Sequence, residues 1–256
     1  MTKIGLLYPT RDRGEDDYLA LAAMVDPATA VELAYVPWGP TAARGRGRRL
    51  DAAGKVAALR ELGEIDRLCT AAEEFRVVGP EVVSWTCSSG SFLWGLDGAR
   101  KQAHALAGVL GVPASSTSLA FLAAIESLGV SRVALASVYS TEVTDGFIAF
   151  LAEAGVETVS RIDLDARSDR QLAGWGRSTL FEMVELCDVG GAEAVLVPET
   201  ALHTAHILGE LEERAGKPVL TATGVTMWDA LRRIGRPAEA PGCGALFDVR
   251  RTSLKE

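Results

Sequence analysis

The sequence carries few residues with strong chemistry: four cysteines and three histidines, with no CxxC spacing. Cys87 has the most reactive setting among them. It follows the apolar run Val82-Val-Ser-Trp85 and opens a Ser/Gly-rich turn, Cys87-Ser-Ser-Gly-Ser91. A turn leading from strand to helix presents backbone N–H groups that can lower a thiol pKa, so Cys87 is read as chemical. The rival reading, an inert buried thiol, fits Cys69, Cys187 and Cys243, which fall on helical patterns or in the tail. A second reactive group ends another apolar run, as Glu199 in Val197-Pro-Glu-Thr-Ala201. Glu199 either caps a helix around Thr200–Leu202 or serves as an acid/base, because partial burial raises a carboxyl pKa towards neutrality.

These groups need elements to hold them. Strand patterns read Lys3–Tyr8, Glu32–Val36, Val82–Trp85, Arg132–Ser137, Val156–Ile162, Ala194–Val197 and Pro218–Ala222. Helix-period segments lie between them: Asp16–Met24, Ala52–Glu74, Gly98–Leu110, Leu119–Ser127, Glu142–Ala154, Ser168–Val189, Leu202–Arg214 and Met227–Arg233. Apolar strands alternating with amphipathic helices predict an α/β fold with parallel sheets covered on both faces.

The chain also repeats itself. Lys3-Ile-Gly-Leu-Leu matches Arg132-Val-Ala-Leu-Ala, Glu81 to Cys87 matches Glu193 to Glu199, and Gly111-Val-Pro matches Gly216-Lys-Pro. Three matches in one order predict two pseudo-symmetric lobes: residues 1–115 completed by 226–256, and residues 116–225. The offset between partners shrinks along the chain, so the first half holds an insertion, assigned to Pro40–Lys55. Ligands of an open parallel sheet bind outside the carboxyl ends of its strands. That rule selects Pro9-Thr10-Arg11-Asp12, the Cys87 turn, Tyr139-Ser-Thr, Glu199-Thr200 and Thr221-Ala-Thr223, and places Cys87 opposite Glu199.

At 256 residues, with 48% hydrophobic and 23% charged residues, the chain can bury a large core. A formal charge of −8 argues against nucleic acid as a partner. The one basic cluster, Arg44-Gly-Arg-Gly-Arg-Arg49, is read as a solvated loop, with a nucleic-acid patch and an active-site flap that meets anionic substrates as the alternatives. No apolar run is long enough to span a bilayer, and Met1-Thr-Lys-Ile-Gly-Leu-Leu7 runs straight into a strand pattern without a signal peptide. A cytoplasmic location without a membrane partner is expected, and the oligomeric state, homo-oligomer included, stays open. No GxGxxG follows a strand, which disfavours a dehydrogenase. A metal site from Glu199, His203 and His206 is possible on paper and disfavoured, because such spacings recur freely on helices.

In order along the chain, Gly5-Leu-Leu-Tyr-Pro9, the strand ending in Cys87-Ser-Ser-Gly-Ser91, Ser137-Val-Tyr139, and Lys217-Pro-Val-Leu-Thr-Ala222 followed by Trp228 resemble the arylmalonate decarboxylase and maleate isomerase branch of the aspartate/glutamate racemase superfamily. The resemblance implies an active site between the lobes, no cofactor and a small carboxylate substrate. Racemases and isomerases of the family use two cysteines, and the decarboxylases one, which protonates an enediolate. Here the second-lobe position holds Glu199. The favoured activity is therefore decarboxylation of a malonate-type acid with Cys87 as proton donor. The alternatives are isomerisation or racemisation by Cys87 and Glu199 on opposite faces, and non-catalytic carboxylate binding. The resemblance also places Ser88, Ser89 and Tyr139 near the enediolate, and Thr10, Arg11 and Asp12 at the far end of the substrate. Thr200 and His203, one turn beyond Glu199, complete the candidate site.

Overall fold

The computed structural model describes residues 1–44, 50–166, 169–187, 190–236 and 238–248. Its strands are β1 (Thr2–Tyr8), β2 (Thr29–Tyr35), β3 (Val82–Trp85), β4 (Ala114–Ser116), β5 (Arg132–Ser137), β6 (Glu157–Asp163), β7 (Ala194–Val197) and β8 (Val219–Thr221). They form two four-stranded sheets, ordered β2-β1-β3-β4 and β6-β5-β7-β8. Every pairing is parallel. The two orders are one permutation used twice, so the sheets share a topology.

The repeated sequence makes the same bonds in each sheet. Glu81 Oε1 accepts from the Lys3 N–H at 3.2 Å, and Glu193 Oε2 accepts from the Arg132 N–H at 3.0 Å. The carbonyl of Pro113 accepts from Val83 N–H at 3.0 Å, and that of Pro218 from Val195 N–H at 2.9 Å. Each matched pair thus ties the first, third and fourth strands of its sheet in register.

Helices cover both sheets. The first half supplies α1 (Glu15–Val25), α2 (Pro40–Arg44), α3 (Ala52–Leu62), α4 (Ile65–Ala72), α5 (Phe75–Val78), α6 (Ser89–Phe92), α7 (Gly95–Leu110) and α8 (Thr117–Leu128). The second half supplies α9 (Thr141–Glu153), α10 (Asp169–Leu172), α11 (Arg177–Cys187), α12 (Leu208–Ala215) and α13 (Ala222–Arg233). Successive strand side chains point to opposite faces. Leu6 of β1 and Leu135 of β5 therefore enter one shared core, while Leu7 packs in an outer cluster of the first sheet and Ala134 in one of the second. Polar links join α13 to β4 and α8: Ser115 Oγ donates to Asp229 Oδ2 at 2.6 Å, and the Thr117 and Thr226 hydroxyls meet at 2.8 Å.

Three expected helices are broken. Ala52–Glu74 divides into α3 and α4 because a Cβ at Gly63 would lie 1.9 Å from the Gly90 carbonyl oxygen, so the chain turns there against the Cys87 loop. Between 168 and 189 the helix parts around Gly174 and Gly176 into α10 and α11, and Ser168 and Val189 lie outside the described residues. Leu202–Arg214 begins late, with a 3-10 turn at Ala205–Ile207 ahead of α12. The cause is Asp17 on α1, whose carboxylate accepts from Thr204 N–H at 2.9 Å and Ala205 N–H at 3.0 Å and holds that loop off a helical path. Strand β4, absent from the expected strands, follows Gly111-Val-Pro113 as β8 follows Gly216-Lys-Pro218. Residues 45–49 of the basic cluster lie outside the described residues, and the flap reading of them with it. Among the described residues no helix is long and apolar enough to cross a membrane.

Candidate functional site

Cys87 stands two residues beyond β3 and Glu199 two residues beyond β7, so they occupy equivalent positions of the two sheets. Both are buried. Both line one cavity of about 390 Å³, together with Ser88, Ser89, Tyr139 and Thr200. That volume suits one small molecule.

The turn that carries Cys87 is held from several sides. The Gly90 N–H donates to the Cys87 sulfur at 3.4 Å, and Ser89 Oγ lies 3.8 Å from it. Residue 90 must be glycine for this approach: a Cβ there would fall 2.8 Å from the fully buried Trp85 ring and 3.2 Å from the sulfur itself. Gln102 Nε2 donates to the carbonyls of Gly63 (2.7 Å) and Gly90 (2.9 Å), which fixes the turn to the junction of α3 and α4. Ser118 Oγ donates to the Ser88 carbonyl at 2.8 Å. One turn later Phe92 packs edge-on against Tyr139, ring centroids 6.0 Å apart, and so couples the Cys87 turn to the second sheet.

The Glu199 side is equally constrained. Glu199 Oε1 accepts from the Ala201 N–H at 2.8 Å. No helix follows at Thr200–Leu202, so this bond closes a local turn and is not a helix cap. The Pro198 carbonyl just before it accepts from two hydroxyls, Ser88 Oγ at 2.5 Å and Tyr139 Oη at 3.0 Å. Tyr8 Oη donates to the Thr200 carbonyl at 2.9 Å. Burial first, then the nearby Tyr18, Asp12 and Glu199, pushes the Tyr8 phenol far above its ordinary range, so it stays a donor at any working pH.

Four of the expected residues stand outside the cavity lining. Thr10 Oγ1 accepts from the Trp38 indole N–H at 2.9 Å, and thus supports a residue that does line it. Arg11 stacks over the Tyr35 ring at 3.9 Å. Asp12 is buried, and its Oδ1 accepts from the Gly14 N–H at 2.7 Å, shaping the turn that lets Gly14 pass close to Tyr8 and Ala201. His203 is not one helical turn beyond Glu199; its Nε2 meets the Arg13 carbonyl at 2.7 Å. Among the described residues no group of three or more His, Cys, Asp or Glu side chains could hold a metal ion.

The cavity also has walls that sequence reading missed. Trp38, Leu50, Lys55 and Leu59 line it from the first half of the chain, and Val138 and Leu172 from the second. Trp38 carried a usable signal, since it follows β2 at the carboxyl edge where ligands bind. Leu50 and Lys55 lie in the segment read as an insertion, beyond the basic cluster that carries the flap alternative.

A family model described as arylmalonate decarboxylase matches residues 57–247. The arylmalonate decarboxylase of Bordetella bronchiseptica is 32% identical over 190 residues, covering 72% of this chain and 78% of that protein. A maleate isomerase of Geobacillus stearothermophilus is 24% identical over 136 residues, covering 53% of this chain and 54% of that one. Among solved structures, a double mutant of arylmalonate decarboxylase in the liganded form superposes with a TM-score of 0.79 and 26% identity, over 97% of this chain and 99% of that one. A maleate isomerase variant from Pseudomonas putida S16 with maleate gives a TM-score of 0.82 at 17% identity, over 96% and 97% of the two chains, a likeness of fold.

Proposed function

The chain belongs to the arylmalonate decarboxylase and maleate isomerase family of the aspartate/glutamate racemase superfamily, and from that membership we propose that it is a cofactor-independent decarboxylase of a small malonate-type acid, with Cys87 as proton donor. One observation carries this reading: among the described residues lining the cavity, Cys87 is the only thiol, and a backbone N–H is directed at its sulfur. In the proposed reaction the bond from the α-carbon to one carboxylate breaks. Its electron pair enters the remaining carboxylate as an enediolate, and carbon dioxide leaves. The α-carbon then takes the proton from the Cys87 S–H. The thiolate left behind is stabilised by the Gly90 N–H, and solvent returns its proton. Ser89 Oγ is a donor beside the sulfur for the enediolate oxygens, and the Ser88 and Tyr139 hydroxyls would join it by turning from the Pro198 carbonyl.

A second reading rests on its own observation. Glu199 occupies the position equivalent to Cys87 and is buried beside the same cavity, as a second acid/base on the opposite face would be. Isomerisation or racemisation would use both groups.

The test is carbon dioxide release from a panel of substituted malonates, run in deuterium oxide. Wild type should release gas and place one deuteron on the product α-carbon, and Cys87→Ala should lose the activity by roughly 10²- to 10⁴-fold. Washing of deuterium into unreacted substrate without gas release would favour the two-base reading. Binding of carboxylates with neither outcome would leave a carboxylate-binding protein.

A further inference from the structure

A malonate-type substrate brings two negative charges into a cavity lined largely by apolar and neutral side chains. Repulsion between carboxylates grows as water is excluded, and a cationic side chain at the cavity would offset it. The hydroxyls of Ser88 and Tyr139 are neutral and donate to the Pro198 carbonyl. Among the described lining residues Lys55 is the single cationic side chain.

Lys55 sits in the first turn of α3, and its ammonium meets the Asp165 carboxylate at 2.8 Å. The pair spans the rim from one sheet's helices to the loop after the other sheet's edge strand. Asp165 is set on the wall by its backbone, which takes up φ 42°: its N–H donates to the Tyr139 carbonyl at 3.2 Å, and the Ala166 N–H to the Val138 carbonyl at 2.8 Å. Val138, Tyr139 and Ala166 all line the cavity. The two side chains are 28% and 47% exposed, and ion pairs so open to water are weak and readily exchanged.

Resting on the decarboxylase reading, we propose that Lys55 recognises a carboxylate of a dianionic substrate, which takes the place that Asp165 holds when the cavity is empty of it. Lys55 is a specificity residue in this scheme, and Asp165 its internal competitor. The two therefore have opposite effects on binding, although removing either breaks the same ion pair.

Calorimetric titration of the full chain with dimethylmalonate and with its monomethyl ester tests this. Lys55→Met should weaken binding of the dicarboxylate about tenfold and of the monoester less than twofold. Lys55→Arg should keep the affinity within a few-fold of wild type, and Asp165→Asn should tighten dicarboxylate binding. Weakening by both Lys55→Met and Asp165→Asn would show that the pair only holds the rim together, and would overturn the proposal. So would an equal response of diacid and monoester. The decarboxylase reading fails separately, if a dicarboxylate binds through Lys55 and no substrate in the panel releases carbon dioxide. If carbon dioxide is released and Lys55→Met leaves the substrate KM unmoved, that reading stands and the role of Lys55 falls.

Discussion

Gly63→Ala probes the support of Cys87 from a position outside the cavity lining. Gly63 has φ −86°, which alanine adopts freely, so the backbone itself raises no objection. Replacing a glycine at such a site usually stabilises by ~0.4–1 kcal/mol, through lower entropy of the unfolded chain. The surroundings reverse that sign. The new Cβ would sit 1.9 Å from the Gly90 carbonyl oxygen and 2.8 Å from Gln102 Nε2. The first contact is with backbone, which no rotamer change relieves, so the two loops must part by more than an ångström. Overpacking of this kind costs about 1–3 kcal/mol. Parting also strains the Gln102 bonds to Gly63 and Gly90, at ~1 kcal/mol each. The net loss is about 2–4 kcal/mol, or a fall in Tm of roughly 5–12 °C for a chain of this size. The Gly90 N–H moves with its loop, so carbon dioxide release should fall even well below the melting temperature. Differential scanning calorimetry and the release assay on one preparation check both parts. An unchanged Tm, or a rise of a degree or two, would refute the claimed contact between the helix junction and the Cys87 turn.

Three further outcomes are expected. Glu199→Gln keeps an acceptor for the Ala201 N–H and loses only the base, so gas release should stay within about tenfold of wild type; abolition of release would show that decarboxylation needs the Glu199 carboxylate and overturn the scheme with Cys87 as the sole acid. Asp17→Asn leaves the Thr204 and Ala205 N–H groups one good acceptor short in a buried place, costing about 1–3 kcal/mol. The urea midpoint should fall accordingly, and no change would discount this link. Burial, then the bond to Glu15, pushes Tyr35 up to about 12 from an ordinary value of 10.0. Its protonated form thus supports the fold, with the full contribution below pH 10.0 and a progressive loss as pH rises to about 12. Tyr35→Phe should flatten the decline of Tm across that window, and an unaltered slope would contradict it.

The architecture was legible because fully covered parallel strands are written as apolar runs, and because the two sheets repeat their punctuation. Glu81 and Glu193 begin matched segments for a mechanical reason, since each accepts from the first residues of a neighbouring strand. The same order of segments sets Cys87 and Glu199 at equivalent positions, and the rule of strand ends found them together with Ser88, Ser89, Tyr139 and Thr200. What stayed hidden depends on partners remote in sequence. The break after α3 answers to Gly90, and the unwound stretch holding His203 answers to Asp17, 187 residues before Thr204. Lys55 looked like any lysine opening a helix. Only the placement of α3 beside the strand ends brings it to the cavity.

The Pro198 carbonyl gives this site a built-in reporter. An amide carbonyl that accepts two hydrogen bonds has a weakened C=O bond and vibrates at lower frequency than its neighbours. Here both donors, Ser88 and Tyr139, are hydroxyls of residues that line the cavity, and in the proposed reaction both would turn away towards the enediolate. Loading the site should then release the carbonyl and shift its infrared band upwards. Carbon-13 at proline carbonyls would single out a small set of bands, of which only the one from Pro198 should respond to ligand. Occupancy could be followed optically, with no chromophore on the substrate and no turnover required.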